Sequence, residues 1–479
     1  MLFYSLMKTA AANPEKTALI FGSERLSYAQ LLERVESFMD RLRLLSIHEG
    51  DYIALVLPNS REFVMSFYAV AGLRAIVLPL NPVLKVDELK YYLADNDIRV
   101  IVTDSEHAGV CREAACEIDR EFSIVIVDAK DDVISANLWL VHEHLDVSRK
   151  LFEGPVICQY SSGTTDQAKK VCRTQKNLGY EIEAFVNGVH MTATDTVLCV
   201  VPLFHAFGLG KCMLASIATG ATLVILEPGM RESVASPFVF RSQRVFELIA
   251  QEQVSLLPGS PYIFGVLAET PEDVQVDMSS LRLCMTAGNL LPEETFTRFK
   301  QRFGMPLRSI YGSTETGSVA LNMEPDEDVR FDSVGRPCEG AEVRITDETL
   351  NEFAIGSIGE VAVRNRSMAT GYLDMPELSR EEFKDGFFFM GDLGKKDEQG
   401  RLYITGRKKI FIDSGGEKVD PWEIEQALLA HPTVKEAAVV GIAGPYGCRM
   451  SAILSMISTI RISMHRARPF RVGVVFSMR

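Results

Sequence analysis

Apolar runs of strand length alternate with helical periods through the first half of the chain. Between residues 30 and 45 the apolar side chains recur at helical spacing and form one face, made of Leu31, Leu32, Val35, Phe38, Met39 and Leu42. Further helical periods occupy residues 60–75 and 86–95, and extended apolar runs occupy 52–58, 75–80, 99–104 and 122–128. This alternation predicts a parallel sheet with crossover helices.

A second round of apolar runs follows, at residues 155–161, 197–203, 221–226, 281–288 and 307–312. From about residue 333 to 405 the runs become short and are broken by Gly, Pro and Asp, which predicts a compact β-rich subdomain. The expected fold class is therefore α/β, with parallel-rich sheets in a large N-terminal domain. We expect an α/β region at 1–332, the β-rich subdomain at 333–405, a small incomplete α+β domain at 406–447 and an aberrant basic tail at 448–479.

Composition narrows the class of protein. A chain of 479 residues is longer than one hydrophobic core usually serves, so at least two domains are expected. The net charge of −14 argues against a nucleic-acid partner. Nine cysteines without metal-ligand spacing indicate free thiols in a reducing compartment. No run approaches the ~20 apolar residues of a membrane span, so we expect a cytoplasmic protein without a transmembrane segment.

The segment YSSGTTDQAKKV at 160–171 follows an apolar run and has the composition of a polyphosphate-binding loop. Backbone N–H groups of a Gly-containing turn point at phosphate oxygens, hydroxyls donate and Lys supplies positive charge. The candidate donors are Ser161, Ser162, Thr164, Thr165 and one of Lys169 and Lys170. A polar surface turn after a strand is the alternative for this segment alone.

Further motifs follow in a fixed order: YGSTETG at 311–317, FFFMGDLG at 387–394, and GRLYITGRKKIFIDSGGEKVDPWEIE at 400–425. Shorter stretches at 13–31, 202–210, 334–347 and 359–374 agree with them. Together with the loop at 160–171, these motifs resemble the adenylate-forming superfamily of acyl-CoA synthetases, peptide-synthetase adenylation domains and luciferases. The resemblance extends from about residue 13 to Gly447. It implies ATP-dependent activation of a carboxylic acid to an acyl-adenylate, followed by transfer to a thiol.

The resemblance implies a set of nucleotide-binding residues. Ser162, Gly163, Thr164, Thr165 and Lys169 match the phosphate-binding positions, and Thr164, Lys169 and Glu315 are the implied catalytic residues. Tyr311 is implied to lie against adenine, Thr314 to reach the phosphates, and Glu315 to coordinate Mg²⁺. The rest of the implied set is Gly288, Gly312, Asp392 at the ribose and Arg407.

The phosphate loop departs from the family pattern at three positions. Asp166 and Lys170 replace Gly, and Ala168 replaces Pro. A carboxylate ~4 Å from a phosphate oxygen costs about 4 kcal/mol at an effective dielectric near 20, so Asp166 is expected to weaken ATP binding unless Lys170 offsets it.

The acyl and thiol sites are also implied by the resemblance. His205 either lies beside the acyl carboxylate or is a buried core histidine. Phe207 and Tyr262, with Phe204, Leu209 and Phe264, are expected to form an apolar pocket, which suggests a fatty acid. Gly415 and Gly416 lie where the family meets CoA, and Lys408 occupies the hinge position. The thiol is expected to be CoA, with a carrier-protein thiol as the alternative.

The last 32 residues differ from the family. From Cys448 onward the chain carries six Arg and neither an acid nor a Lys, which suggests a frameshifted or truncated reading frame; a divergent basic extension is the alternative. Family members carry a catalytic Lys near their end, whereas the last lysine here is Lys435. We therefore expect impaired adenylation, and a catalytically inactive nucleotide- or acyl-binding remnant is a third possible function. Losing one charge-stabilising donor costs about 10²–10³ in rate.

Overall fold

A computed structural model describes residues 2–128, 153–161, 168–227, 241–271, 274, 276–408, 412–414, 417–419, 425, 428, 434–444, 447–456 and 473–476. Within these residues the chain forms the α/β architecture that the sequence predicts. Three sheets contain the strands up to residue 407, and five further strands follow in the described residues. None of the helices in the described ranges is long and apolar enough to cross a membrane.

The first sheet has seven strands in the order β18-β8-β7-β4-β3-β5-β6. Its strands are β3 (Tyr52–Val56), β4 (Ile76–Leu80), β5 (Ile98–Thr103), β6 (Ser123–Ile126), β7 (Pro155–Ser161), β8 (Lys169–Thr174) and β18 (Tyr372–Leu373). β7 pairs in parallel with β4, whereas β8 is antiparallel to both β7 and β18. The apolar runs from residue 155 onward therefore do not all form one sheet, because the first of them, β7, belongs to the seven-stranded sheet.

The second sheet has nine strands in the order β15-β14-β13-β12-β11-β9-β10-β1-β2. Its strands are β1 (Thr17–Phe21), β2 (Glu24–Ser27), β9 (Thr196–Cys199), β10 (Thr222–Ile225), β11 (Leu256–Gly259), β12 (Leu283–Thr286), β13 (Leu307–Ser313), β14 (Gly317–Leu321) and β15 (Arg336–Pro337). The central pairs from β13 to β1 are parallel. Parallel strands are buried on both faces, which explains their nearly continuous apolar runs.

The third sheet contains the β-rich segment predicted after residue 333. It consists of β16 (Glu342–Thr346), β17 (Gly359–Arg364), β19 (Phe383–Lys384), β20 (Phe387–Lys396) and β21 (Leu402–Arg407), all in antiparallel pairs. Asp392 on β20 pairs in register with Arg407 on β21. Two strands of the predicted subdomain, β15 and β18, join the other two sheets instead, so the segment is attached to both of them.

Helices cover the sheets. They are α1 (Leu2–Ala12), α2 (Tyr28–Arg43), α3 (Arg61–Gly72), α4 (Val86–Ala94), α5 (Ala108–Cys116), α6 (Gln175–Gly188), α7 (Ala215–Thr219), α8 (Ser242–Glu252), α9 (Pro261–Glu269), α10 (Glu293–Phe303) and α11 (Pro376–Glu382), with a π-helix at Gly208–Leu214. A capping box of Ser27 and Gln30 begins α2. The apolar face predicted for α2 is buried except for half-buried Leu32.

Beyond residue 408 the backbone forms a hairpin of β22 (Ile412–Ser414) and β23 (Glu417–Val419). A three-stranded sheet follows, made of β24 (Val434–Gly444), β25 (Gly447–Met456) and β26 (Gly473–Phe476). β25 lies antiparallel to β24 and parallel to β26. The eight cysteines before residue 409 are free thiols, as predicted.

Candidate active site

A cleft of about 570 Å³ opens where strands of all three sheets end. Most of the predicted site residues line it: Ser161, Lys169, His205, Phe207, Gly288, Tyr311, Gly312, Thr314, Glu315, Asp392, Arg407 and Lys408. Lys169 is on β8 of the first sheet, Glu315 follows β13 of the second, and Asp392 is on β20 of the third. Three residues that are far apart in the chain therefore converge on one cavity.

Lys169 forms a buried ion pair with Glu382, the last residue of α11. Its Nζ lies 2.8 and 3.0 Å from the two carboxylate oxygens. The Tyr372 hydroxyl donates to the same carboxylate at 2.6 Å, and the Tyr372 ring centroid lies 4.9 Å from the Lys169 Nζ. Burial, with Glu315 and Glu382 nearby, raises the pKa of Tyr372 above its usual range, so its hydroxyl stays a donor.

Glu315 lies in the turn that joins β13 to β14 and is buried. The neighbouring residues hold this turn: Ala369 N donates to the Glu315 carbonyl at 2.7 Å, and the Ser367 hydroxyl donates to the Thr316 carbonyl at 2.7 Å. Within the described residues, the Glu315 carboxylate shares the single Tyr372 hydroxyl proton, at 3.3 Å, with the closer Glu382 carboxylate. It therefore keeps oxygen lone pairs for a further ligand.

Asp392 is buried between two donors. The Tyr311 hydroxyl donates to its Oδ2 at 2.7 Å, and Arg407 Nε donates to its Oδ1 at 3.0 Å. Burial raises the pKa of the Asp392 carboxyl, and these two donors oppose the rise without cancelling it. Burial and the same carboxylate raise the pKa of Tyr311 well above its usual value. The register between β20 and β21 places the Arg407 side chain beside Asp392.

Two glycines shape the cleft for different reasons. A Cβ at Gly312 would overlap the carbonyl oxygen of Gly317, because β13 and β14 approach closely where the turn begins. Gly288 has φ +94°, a conformation that L side chains rarely adopt. No atom lies within 4 Å of a Cβ built at Gly288, so backbone conformation and not crowding requires glycine there.

Lys408 lies at the end of the third sheet. Its N–H donates to the Gly391 carbonyl at 2.8 Å, and its Nζ lies 2.6 Å from Glu360 and 3.1 Å from Glu348. These contacts tie the predicted hinge to β17 and β20 in the present arrangement. A large rearrangement at this point would have to break them.

The predicted acyl residues do not all lie together. His205 and Phe207 line the cleft, and burial lowers the pKa of His205, which favours the neutral imidazole. Tyr262 lies outside the cleft and is 52% exposed, because it occupies the outer side of the first turn of α9. Phe264 packs edge-to-face on Phe299 inside the core instead. Tyr262 does not line the cleft in this structure, and its position in the acyl pocket stays a prediction.

Several predicted residues lie outside the described residues: Ser162, Gly163, Thr164, Thr165, Asp166, Gly415 and Gly416. Lys170 is described, and it forms ion pairs with Asp95 and Asp374, each at 3.0 Å. It does not line the cleft. Two carboxylates thus already balance its charge, and its effect on Asp166 stays a prediction.

Sequence reasoning missed a buried charged cluster in the cleft wall. Glu181 on α6 accepts from both Arg173 on β8 and Lys211 on the π-helix, and all three side chains are at most 4% exposed. Burial alone would raise the pKa of Glu181, but Lys211 and Arg173 outweigh it and lower the pKa to about 2. The signal was present in the sequence, since Lys211 is a lone cation in the apolar stretch GLGKCML.

Comparison with known proteins matches residues 6–373 to the AMP-binding enzyme family. The chain belongs to the AMP-binding enzyme family. One relative, the indoleacetate–CoA ligase of Aromatoleum aromaticum, is 32% identical over 446 residues, which cover 90% of this chain and 83% of that protein. The long-chain-fatty-acid–CoA ligase of Bacillus subtilis is 28% identical, over 92% of this chain and 82% of that protein.

Solved members of this family share the fold. The O-succinylbenzoate coenzyme A synthetase of Bacillus subtilis, solved in complex with AMP, superposes with a TM-score of 0.81 and 25% identity. The match covers 95% of this chain and 89% of that one. The family resemblance, the α/β fold class and the predicted enzyme class, an AMP-forming acid–CoA ligase, are thereby confirmed.

Proposed function

We propose that this AMP-binding enzyme activates a carboxylic acid in the cleft described above and transfers the acyl group to CoA. In the first half-reaction the carboxylate attacks the α-phosphorus of ATP, and pyrophosphate leaves. In the second, the thiol of CoA attacks the acyl carbon and AMP leaves. The observation that carries the proposal is the convergence of Lys169, Glu315 and Asp392 on one cavity.

The nucleotide roles follow from the contacts of each side chain. Asp392 is a buried carboxylate whose oxygens can accept from two ribose hydroxyls, and Tyr311 and Arg407 fix its orientation. Lys169 offers a cation to the phosphates, and the buried Oγ of Ser161, unpartnered within the described residues, offers a donor. Gly288 and Gly312 leave backbone accessible beside the base. Thr314, half-buried on the cleft wall, completes this set.

Magnesium is proposed to bind at Glu315. The described residues contain no group of three His, Cys, Asp or Glu side chains that could hold a metal ion. Mg²⁺ is commonly held by one or two carboxylates together with substrate phosphates, and Glu315 has free lone pairs facing the cleft. A bound ion there would neutralise charge on the phosphates.

The remaining roles are proposals of the same kind. His205, neutral in its buried setting, and Phe207 would adjoin the acyl group, while Gly415 and Gly416 would adjoin CoA. Lys408 would act as the hinge between the two half-reactions, because it joins the third sheet to the residues that follow. Thr164, with Ser162, Gly163 and Thr165, would hold the phosphates.

Separate assays of the two half-reactions test the proposal. Carboxylate-dependent exchange between ATP and pyrophosphate should occur without CoA, and thioester should accumulate when CoA is added. Exchange followed by transfer to a carrier-protein thiol and not to CoA would favour the alternative acceptor. Nucleotide binding without exchange for any acid would indicate a catalytically inactive remnant. Slow exchange would agree with the sequence-based prediction of impaired adenylation.

The class of acid is the least defined part of the proposal. The sequence-based expectation of a fatty acid rests on Phe207, and one relative acts on long-chain fatty acids. Another relative acts on indoleacetate, so the family accommodates different acids. A panel of aliphatic, aromatic and dicarboxylic acids in the exchange assay would define the class.

A further inference from the structure

The charged cluster of Arg173, Glu181 and Lys211 carries more positive than negative charge. With both bases protonated, two cations share the single carboxylate of Glu181, which gives a net charge of +1 in the cluster. All three side chains are buried, where water cannot screen this charge. A buried charge is normally neutralised by a partner, so the excess positive charge calls for an anion.

Two members of the cluster line the cleft, so the cluster is not enclosed within the hydrophobic core. Both Glu181 and Lys211 line the cavity, together with His205 and Phe207 from the segment that leads into the π-helix. Lys211 has three N–H donors. Within the described residues its hydrogen bond goes to Glu181, and its Nζ also lies 5.4 Å from the centroid of the Phe185 ring. Donor capacity is therefore left at the wall of the cleft.

The backbone around the cluster is shaped to hold Glu181 in place. A Cβ at Gly210 would come 2.9 Å from Glu181 Oε1, and a Cβ at Gly317 would come 2.8 Å from Oε2. Both glycines let the carboxylate approach closely from opposite segments. Lys211 lies in a π-helix, a rare element found mainly where function requires it.

Among the buried polar atoms that lack a hydrogen-bond partner within the described residues are one atom of the cluster and one of the cleft wall. They are Arg173 Nε and the buried hydroxyl of Ser318, which lines the cleft next to Gly317. Leaving a buried donor unsatisfied is costly, so such atoms mark places where a ligand or water belongs. A purely structural ion pair would explain the bonds of Glu181 but neither the unpartnered Ser318 nor the excess charge.

We propose that Lys211 selects acids that carry a second anionic group, so that the substrate class is a short dicarboxylate or an equivalent acid with two anionic ends. One carboxylate reacts with ATP while the other is held at the cluster, where Lys211 and the Ser318 hydroxyl donate to it. This inference rests on the proposed function, because it assigns the far end of the acyl group in the same cleft.

The test uses acyl-sulfamoyl adenosines, non-reactive mimics of the acyl-adenylate, so it does not depend on the catalytic rate. Malonyl, succinyl and glutaryl compounds are paired with propanoyl, butanoyl and pentanoyl compounds, which replace the terminal carboxylate by a methyl group. The best carboxylate-ended compound should bind at least 10-fold more tightly than its methyl-ended partner, since hydrogen bonds to charged groups are the strong ones.

Lys211→Met removes the charge while keeping an unbranched side chain. It should lower toward one the dissociation constant of the methyl-ended compound divided by that of its carboxylate-ended partner. Lys211→Arg should retain a ratio above one. Lys176→Met makes the same substitution at a half-exposed lysine of α6 outside the cleft and should leave the ratio as in the parent protein. Thermal unfolding of each variant confirms folding.

The outcomes separate this inference from the proposed function. Binding of methyl-ended compounds as tightly as their carboxylate-ended partners, in the parent protein, overturns the inference and leaves the proposed function intact. That comparison needs no variant, so it holds even if Lys211→Met fails to fold. If none of the compounds binds, the proposed function fails, and the inference fails with it.

Discussion

The ion pair between Lys169 and Glu382 makes a sharp prediction about ATP binding. In this structure the lysine proposed to meet the phosphates is already bound by both oxygens of a buried carboxylate, at 2.8 and 3.0 Å. ATP must therefore compete with Glu382 for the same cation. We expect Glu382→Gln to tighten ATP binding, because an amide oxygen competes less strongly than a carboxylate.

The size of the effect follows from the strength of the competing bond. Both side chains are about 90% buried, at 10% and 12% exposure, so the pair is weakly screened. Lys169 Nζ makes two contacts to the Glu382 carboxylate, whereas the amide of Gln offers a single oxygen as acceptor. A hydrogen bond to a charged group contributes about 1.5–3 kcal/mol, and losing one at the low end of this range corresponds to about a tenfold decrease in the dissociation constant of ATP. The same free energy is lost from the folded protein without ATP, so the melting temperature should fall.

Calorimetric titration with ATP and Mg²⁺, together with thermal unfolding, measures the two opposite effects. The matched control is Glu381→Gln, which removes one negative charge from the neighbouring, exposed lining residue. It should change the affinity for ATP by less than about threefold, as expected for a solvated charge. An unchanged or weaker affinity in Glu382→Gln would refute the idea that Lys169 is the phosphate cation held by this carboxylate.

Three further substitutions test the remaining parts of the cleft. Asp392→Asn should weaken AMP binding about 10- to 100-fold in a titration, through loss of a charged acceptor. Because burial raises the pKa of this carboxyl above its unfolded value of about 3.9, ionisation destabilises the fold at neutral pH, so the variant should melt higher there. That advantage should shrink as the pH falls through the folded pKa and vanish below the unfolded one; an advantage that grows in acid would contradict the cause given. Gly312→Ala should cost about 1–3 kcal/mol of stability in denaturant unfolding, because its Cβ meets the Gly317 carbonyl, whereas Gly406→Ala, with no atom within 4 Å of its Cβ, should not. Lys408→Pro removes a backbone donor and should slow thioester formation more than pyrophosphate exchange. Lys408→Ala keeps that donor and serves as the control. Equal slowing of both reactions in Lys408→Pro would argue against a hinge.

Much of the site could be predicted because its chemistry is local in sequence. Short motifs that resemble those of the family point to Lys169, Glu315 and Asp392 from the sequence alone, and the structure brings all three to one cleft. The spacing of apolar residues that distinguishes strands from helices is equally local in the sequence, and it predicts the buried face of α2. The convergence of the three sheets supplied the geometry.

Features that depend on the path of the chain were not predictable in this way. A local pattern of apolar residues does not give the order of strands in a sheet. The pattern groups β7 with the strands that follow it in the chain, whereas β7 pairs with β4. The segment around Tyr262 is apolar on all sides, and only its position in the first turn of α9 decides that the ring faces outward. Glu181 on α6 pairs with Lys211 of the π-helix and with Arg173 of β8, and a local pattern in the sequence does not show which of these elements meet.

The pairing of β18 with β8 has a consequence for how the protein is made. Lys169 meets Glu382 across 213 residues of chain, and Tyr311 meets Asp392 across 81. While the ribosome is still translating, β8 is an uncovered edge, and such edges promote aggregation. Translation must pass β18 at Tyr372–Leu373 before that edge is covered, so a nascent chain arrested near residue 370 should depend on chaperones and bind no nucleotide.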